Sequence, residues 1–202
     1  MNEARERWNH NFHYHRVLLD ALPARCDRVL DVGCGEGTLA RKLATRVANV
    51  VALDVDEPVL QRARAANNSA RIEYVYGDLL TCDCAHASFD AVVSVAMLHH
   101  VDQRAALQRM ADLVRPGGVV AAVGLARRRS ALDWAYDGIG FLTSRTMQLR
   151  RTRWEPDVPI VWPPPHTYSE VRRIARATLP GVRFQRRVLF RYLLVWTKPV
   201  VA

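Results

Sequence analysis

The sequence predicts an α/β domain built on a mainly parallel sheet. Three observations carry this. Apolar runs of strand length alternate with helical patterns from residue 28 to residue 123, and a glycine-rich turn joins the first such strand to the first helix. Half of the residues are apolar and 24% are charged, enough to build a core and too apolar for a disordered chain. At 202 residues the chain has the size of one domain. There is no internal repeat, and no apolar run approaches the ~18 to 20 residues of a membrane-spanning helix.

In chain order, Arg28 to Val32 is a short buried-strand pattern, followed by the glycine turn and by Thr38 to Ala44 with helical spacing. Asn49 to Leu53 is the second strand. Asp56 stands before Glu57-Pro58, an acid where a helix wants a cap and a proline where its first turn tolerates one, and Val59, Leu60 and Ala63 continue at helical spacing. Arg71 to Tyr76 alternates as a third strand, and Phe89 to Val95 makes a fourth. Ala105 to Val114 forms an amphipathic helix, which Pro116-Gly117-Gly118 breaks before the apolar run Val119 to Val123. The rhythm then lapses until Ser169 to Leu179, a helix ended by Pro180-Gly181. Val182 to Arg187 and Val188 to Thr197 suit an antiparallel pair at the end of the sheet.

The net charge of +9 is unevenly placed. Residues 1 to 126 balance at −1, whereas residues 127 to 202 carry +10. Such clustering suits a negatively charged partner, whether nucleic acid, membrane surface or small anion. A compositional bias toward arginine explains why Lys42 and Lys198 are the only lysines, but not the clustering. The first residues are polar and aromatic, with no apolar stretch to direct secretion, so a cytoplasmic location is expected. Cys26, Cys34, Cys82 and Cys84 form no metal-like pair of pairs and read as free thiols; no metal is expected.

The chemistry begins at Asp31-Val32-Gly33-Cys34-Gly35-Glu36-Gly37, between a strand and a helix. Side-chain-free positions there let a ligand approach the backbone, and the same glycines also serve a tight turn. Their spacing is GxGxG, and the third position of a GxGxxG dinucleotide fingerprint falls on Thr38. Asp54, at the tip of the second strand and 17 residues past Gly37, can accept from both hydroxyls of a ribose. Asp78, after Gly77 at the end of the third strand, can accept from an exocyclic amine, or close a Gly-Asp turn.

Together these segments resemble the class I S-adenosylmethionine-dependent methyltransferases over most of residues 28 to 126. Val29 to Gly37 resembles the family's first motif, Asp54 its ribose-binding acid, Gly77-Asp78 its adenine-side acid, Phe89 to Ser94 its fourth-strand motif, and Leu113 to Gly118 the link before its fifth strand. The resemblance implies a Rossmann-like, three-layer α/β/α fold whose seven-stranded sheet runs 3-2-1-4-5-7-6 with strand 7 antiparallel. It divides the single domain into an N-terminal helical cap (1–27), a cofactor-binding core (28–126), a lid or insertion (127–167), and a last helix with the antiparallel pair (168–202). It implies S-adenosylmethionine as cofactor, S-adenosylhomocysteine as product, and cofactor contacts from Asp31, Gly33, Cys34, Gly35, Gly37, Asp54, Val55, Asp78, Leu79 and Ser94.

Acceptor-side residues are less marked. His99 and His100 follow the fourth strand in a Leu-His-His sequence similar to that of small-molecule methyltransferases, and either can serve as base or as structural donor. Tyr14 and His15 belong to an N-terminal run dense in aromatic and imidazole groups. Catalytic candidates are His15 and His99; acceptor-binding candidates are Tyr14, His100, Trp134 and Tyr136, the last two in the insertion. A small-molecule acceptor is favoured. The competing readings are a nucleic-acid methyltransferase using the basic C-terminal third, and a non-catalytic cofactor-binding subunit. A nicotinamide oxidoreductase is disfavoured by the missing GxGxxG and the absence of a Tyr-x-x-x-Lys pair.

Overall fold

Side chains alternate across each strand, and this sorts the apolar residues into two separate cores. The computed structural model describes residues 7–8, 11–129, 152–153 and 162–200. Its main sheet contains β2 (Arg28–Val32), β3 (Asn49–Asp54), β4 (Ile72–Tyr76), β5 (Phe89–Val95), β6 (Val114–Gly124), β8 (Arg183–Arg187) and β9 (Arg191–Thr197). Leu30, Val32, Val51, Leu53, Val92, Val120 and Leu194 face one core; Val29, Val50, Ala52, Ala91, Val93, Val119 and Leu193 face the other.

Helices α4 (Gln103–Leu113) and α5 (Tyr168–Thr178) cover the first face through Leu107, Met110, Val171 and Ile174. The second is covered by α1 (His15–Asp20), α2 (Thr38–Leu43) and α3 (Glu57–Ala65), through Leu18, Leu39, Leu43 and Leu60. The result is three layers, α/β/α. Asp56 caps α3 by accepting from Val59 N, and Thr167 with Glu170 forms a reciprocal capping box on α5.

The strand order is β4-β3-β2-β5-β6-β9-β8. All pairs are parallel except β6 with β9 and β9 with β8. Counted along the sequence without the two short strands below, this is 3-2-1-4-5-7-6 with an antiparallel seventh strand, as the resemblance implied. The chain leaves β2 toward β3 and β4, then crosses back to β5 on its other side, so a crevice opens over the C-terminal ends of these strands. No helix among the described residues is long and apolar enough to cross a membrane.

Two features differ from the sequence reading. Pro116-Gly117-Gly118 does not separate helix from strand: β6 starts at Val114, directly after α4, and carries the triplet within it. The pairing slips between Phe89↔Val114 and Ala91↔Val119, which accommodates the extra residues as a bulge. Gly118 sits so close to β5 that a Cβ there would stand 2.6 Å from Asp90 O. The second feature is a parallel pair of two-residue strands, β1 (Arg7–Trp8) with β7 (Thr152–Arg153), which ties the N-terminal arm to the insertion. Backbone pairing between Arg127 and Thr167 closes the base of that insertion.

At the opposite end of the sheet from the crevice, buried Asp90 joins three segments. Its Oδ2 accepts from Asp27 N and Arg28 N, each at 2.8 Å, and its Oδ1 pairs with the Arg115 guanidinium. Removing it leaves two backbone donors without their acceptor, while the half-exposed Arg115 guanidinium turns to water. Asp90→Ala is therefore expected to cost about 2 to 4 kcal/mol in urea unfolding; a loss below about 1 kcal/mol would show that this stitch contributes little.

Candidate cofactor and active site

The crevice is a cavity of about 750 Å³ lined by the loops after β2, β3, β4 and β5 together with Asn11, Phe12 and His15 from the N-terminal arm. The loop after β2 is formed by backbone geometry that glycine permits. Gly33 and Gly35 have φ of +69° and +53°, where a side chain is strained, and a Cβ on Gly33 would lie 2.7 Å from the Met97 side chain. The N–H groups of Gly33 and Cys34 both donate to Leu53 O, at 2.9 and 3.1 Å, which fastens the loop to the end of β3. Asp54 strengthens the same junction: Oδ2 accepts from Gly35 N at 2.7 Å and Oδ1 from Asp56 N at 3.0 Å. A carboxylate has about four acceptor positions, so two remain for a ligand.

Among the described residues six carboxyl side chains line the cavity, those of Asp31, Glu36, Asp54, Asp56, Glu57 and Asp78, and no lysine or arginine does so. Asp31 is buried and its Oδ2 has no partner. Burial, and then the nearby Asp54 charge, push its pKa up to about 8, against a smaller pull from the Ala40 N–H. A carboxyl so placed holds its proton until a cation arrives. At the other end of this acidic wall, Val55 and Tyr76 line the cavity although 61% and 62% exposed, presenting uncovered apolar faces. Asp78 Oδ1 accepts from Leu80 N at 2.8 Å, so it closes the loop as well as facing the cavity.

The wall after β5 is held in an unusual conformation. Ala96 has φ +56° without being glycine, and its N–H donates to Val123 O at 2.7 Å. Met97, His100 and Val101 follow along the lining. His15 lines the cavity from above; burial, then the Lys42 charge, lower its pKa to about 3, and its Nδ1 is buried without a partner. His99 is buried behind His100, ring centroids 4.0 Å apart, and burial, then His100 and Arg191, lower its pKa to about 4. Both imidazoles are therefore neutral and weakly basic.

The cavity thus gathers Asp31, Gly33, Cys34, Gly35, Asp54, Val55, Asp78, Leu79, His15 and His100. Four of the residues singled out in the sequence lie elsewhere. Ser94 Oγ donates to Val32 O at 2.9 Å and is wholly buried between β5 and β2, so it links the strands outside the cavity lining. Gly37 packs under Tyr74, whose hydroxyl would meet a Cβ at 2.5 Å. The Tyr14 hydroxyl donates to Val188 O, on the turn between β8 and β9. His99 stands behind the lining. Trp134 and Tyr136 fall outside the described residues. Sequence reasoning missed Asn11, Phe12, Thr38, Leu39, Tyr76 and Met97, whose places depend on how loops fold back over the strand ends. Among the described residues no group of His, Cys, Asp or Glu side chains could hold a metal ion.

Comparison with known proteins agrees with this geometry. The methyltransferase domain family matches residues 29–118. An uncharacterized methyltransferase of Mycobacterium tuberculosis is 42% identical over 198 residues, spanning 96% of this chain and 98% of its own. The ubiquinone biosynthesis O-methyltransferase of Alkalilimnicola ehrlichii is 37% identical over 133 residues, 64% of this chain and 53% of that protein. Among solved structures, N-methyltransferase NodS from Bradyrhizobium japonicum in complex with S-adenosyl-L-homocysteine superposes with a TM-score of 0.62 at 19% identity, covering 94% of this chain and 87% of that one. Forty-two per cent identity to a methyltransferase over almost the whole length of both chains, with the strand order and the glycine-loop crevice of the fold, places the chain in the class I S-adenosylmethionine-dependent methyltransferase family.

Proposed function

We propose that the chain transfers a methyl group from S-adenosylmethionine to a small-molecule acceptor, with the cofactor lying over the ends of β2, β3 and β4. The observation that carries the cofactor assignment is the acidic lining. An acidic lining, to which no lysine or arginine among the described residues contributes, repels the pyrophosphate of a dinucleotide and suits a ligand bearing a sulfonium and an ammonium. The unpartnered Asp31 carboxyl fits the ammonium, and the open approach at Gly35, where a Cβ would meet nothing within 4 Å, fits the amino-acid portion against the backbone. The remaining acceptor positions of Asp54 suit a ribose diol, while Val55, Tyr76 and Leu79 flank the space for a flat base beside Asp78.

When bound, S-adenosylmethionine supplies an electrophilic methyl group that needs little acid or base help. The protein's share is to hold donor and acceptor in line in a dry space. Phe12, Leu39, Met97 and Val101 provide the apolar wall for this, with His15 and His100 as the polar groups among them. A small molecule suits a cavity of this size, and its acidic wall disfavours a nucleic-acid strand.

Thermal unfolding tests the cofactor. At about 100 times Kd, S-adenosylhomocysteine is expected to raise Tm by roughly 5 to 10 °C, and NAD to leave it unchanged. Asp54→Ala should weaken the first by about tenfold or more, as two charge-assisted hydrogen bonds are lost. A shift with NAD alone would sink the assignment.

Asp31 gives a pH test. Its native pKa of about 8 exceeds the ordinary 3.8, so the folded chain binds a proton that the unfolded chain has released, and stability falls as pH rises from about 4 to about 8. His15 and His99 act oppositely, since their lowered pKa values cost stability only as pH falls below about 6.5. Between about pH 6.5 and 8.5 the ligand-free protein should therefore lose Tm, and Asp31→Asn should flatten that decline and be the more stable at the alkaline end. An unchanged slope in the variant would show that Asp31 is ionised at neutral pH.

A further inference from the structure

Behind the part of the cavity wall formed by Asn11 and His100, the charge reverses. Arg191, the first residue of β9, is only 7% exposed. Its Nε and Nη2 donate to Asn11 Oδ1, at 3.3 and 2.8 Å, and its Nη1 donates to Leu189 O and Phe190 O, at 3.4 and 3.5 Å. Every one of these acceptors is neutral, and no carboxylate among the described residues pairs with it. Buried guanidinium groups are ordinarily matched by an anion, because desolvating a lone cation costs several kcal/mol. Burial lowers the Arg191 pKa only to about 10, so the cation persists.

Arg191 is one hydrogen bond behind the cavity wall, since Asn11 lines it, and its charge also reaches His99, against whose ring the lining residue His100 is packed. Further arginines surround the same turn. Arg187 pairs in register with Arg191, its Nε is buried without a partner, and its charge is felt at Tyr14. Arg128 stacks near the Phe190 ring, with its guanidinium carbon 6.0 Å from the centroid. The turn itself is held in a strained form, with Leu189 at φ +56° and Phe190 at +63°. Arg191 fixes both of their carbonyls, and the Tyr14 hydroxyl fixes that of Val188. Three arginines of the basic C-terminal third, Arg128, Arg187 and Arg191, thus meet at this turn behind an acidic cavity.

We propose that the methyl acceptor is a small organic acid, a carboxylate or an acidic hydroxyl, drawn in as an anion by the buried, uncompensated Arg191 behind Asn11. This rests on the methyltransferase reading above and specifies its substrate class. It also fits the weak basicity of the imidazoles here, as burial holds His15, His99 and the lining His100 below the ordinary imidazole range. An acceptor that arrives ionised has no proton to shed. Its oxygen lone pair forms the new bond to carbon while the pair of the breaking sulfur–carbon bond stays on sulfur, so the two opposite charges disappear together. An amine arriving as an ammonium ion would meet both Arg191 and the need for a base.

The test uses three isosteric probes, benzoate, benzamide and benzamidine, titrated calorimetrically into the full chain saturated with S-adenosylhomocysteine. Benzoate is expected to bind about tenfold or more tighter than benzamide, with benzamidine excluded. Asn11→Asp gives Arg191 its missing carboxylate, and Arg191→Gln removes the charge; either should abolish the preference for benzoate, whereas Arg191→Lys should keep part of it. S-adenosylhomocysteine affinity, measured first in each variant, reports folding and the cofactor site independently. Equal affinity for benzoate and benzamide, preference for benzamidine, no benzoate binding up to about 20 mM, or a preference surviving both Asn11→Asp and Arg191→Gln would overturn the proposal. So would salt-sensitive binding of a uridine oligonucleotide without discrimination among the three probes. Failure of S-adenosylhomocysteine to bind the unaltered chain would instead fell the underlying cofactor reading.

Discussion

A carboxyl group buried without a counter-ion at the end of β2 is the constraint around which this site is built. Asp31 leaves the strand where the chain must turn into α2, with Asp54 on the neighbouring strand end pressing its charge toward it. The glycine loop exists in the space these two acids define: its backbone is pinned to Leu53 O and to the Asp54 carboxylate, and no side chain fills the approach at Gly35. Burying such a group without a partner is costly, and sites that bind ligands are where folds retain that cost. The rest of the sheet supplies the rigidity. Two apolar cores on opposite faces and the Asp90 junction at the far end hold the strand ends in place.

The second organising feature is the separation of charge along one cavity. Carboxyl groups line the cavity over β2, β3 and β4, while the buried Arg191 cation stands behind Asn11 in its wall. Under the proposal made above, a cationic cofactor and an anionic acceptor would each find one favourable end. The N-terminal arm completes it. Asn11 and Tyr14 both hold the strained turn between β8 and β9, so the arm that roofs the cavity also fastens the arginine-bearing hairpin.

The fold was legible because its signals are local and periodic. Each strand of the parallel core is a short apolar run, and Gly33, Asp54 and Asp78 stand at strand ends where the topology leaves a crevice. Boundaries shifted where a tertiary contact decided them: β6 begins at Val114 because the strand bulges against β5, which propensity around Pro116 does not show. The partners of the Ser94 and Tyr14 hydroxyls were not legible for a related reason, since they depend on which backbone carbonyl lies opposite in the folded sheet. The acceptor side was harder to read. Asn11 and Arg191 are 180 residues apart in sequence, and only the folded chain joins an unremarkable asparagine to a buried cation.

Calorimetric titration of S-adenosylhomocysteine in two buffers of different ionisation enthalpy, at pH 7, addresses the central claim most directly. If the cofactor's ammonium supplies the cation that Asp31 lacks, binding must expel the proton held there, and with a pKa raised to about 8 a proton is released on binding at neutral pH. Asp31→Asn should then bind without proton release. Binding of the unaltered chain with no proton exchanged would mean that Asp31 is already ionised or stays clear of the ligand, and would contradict the account.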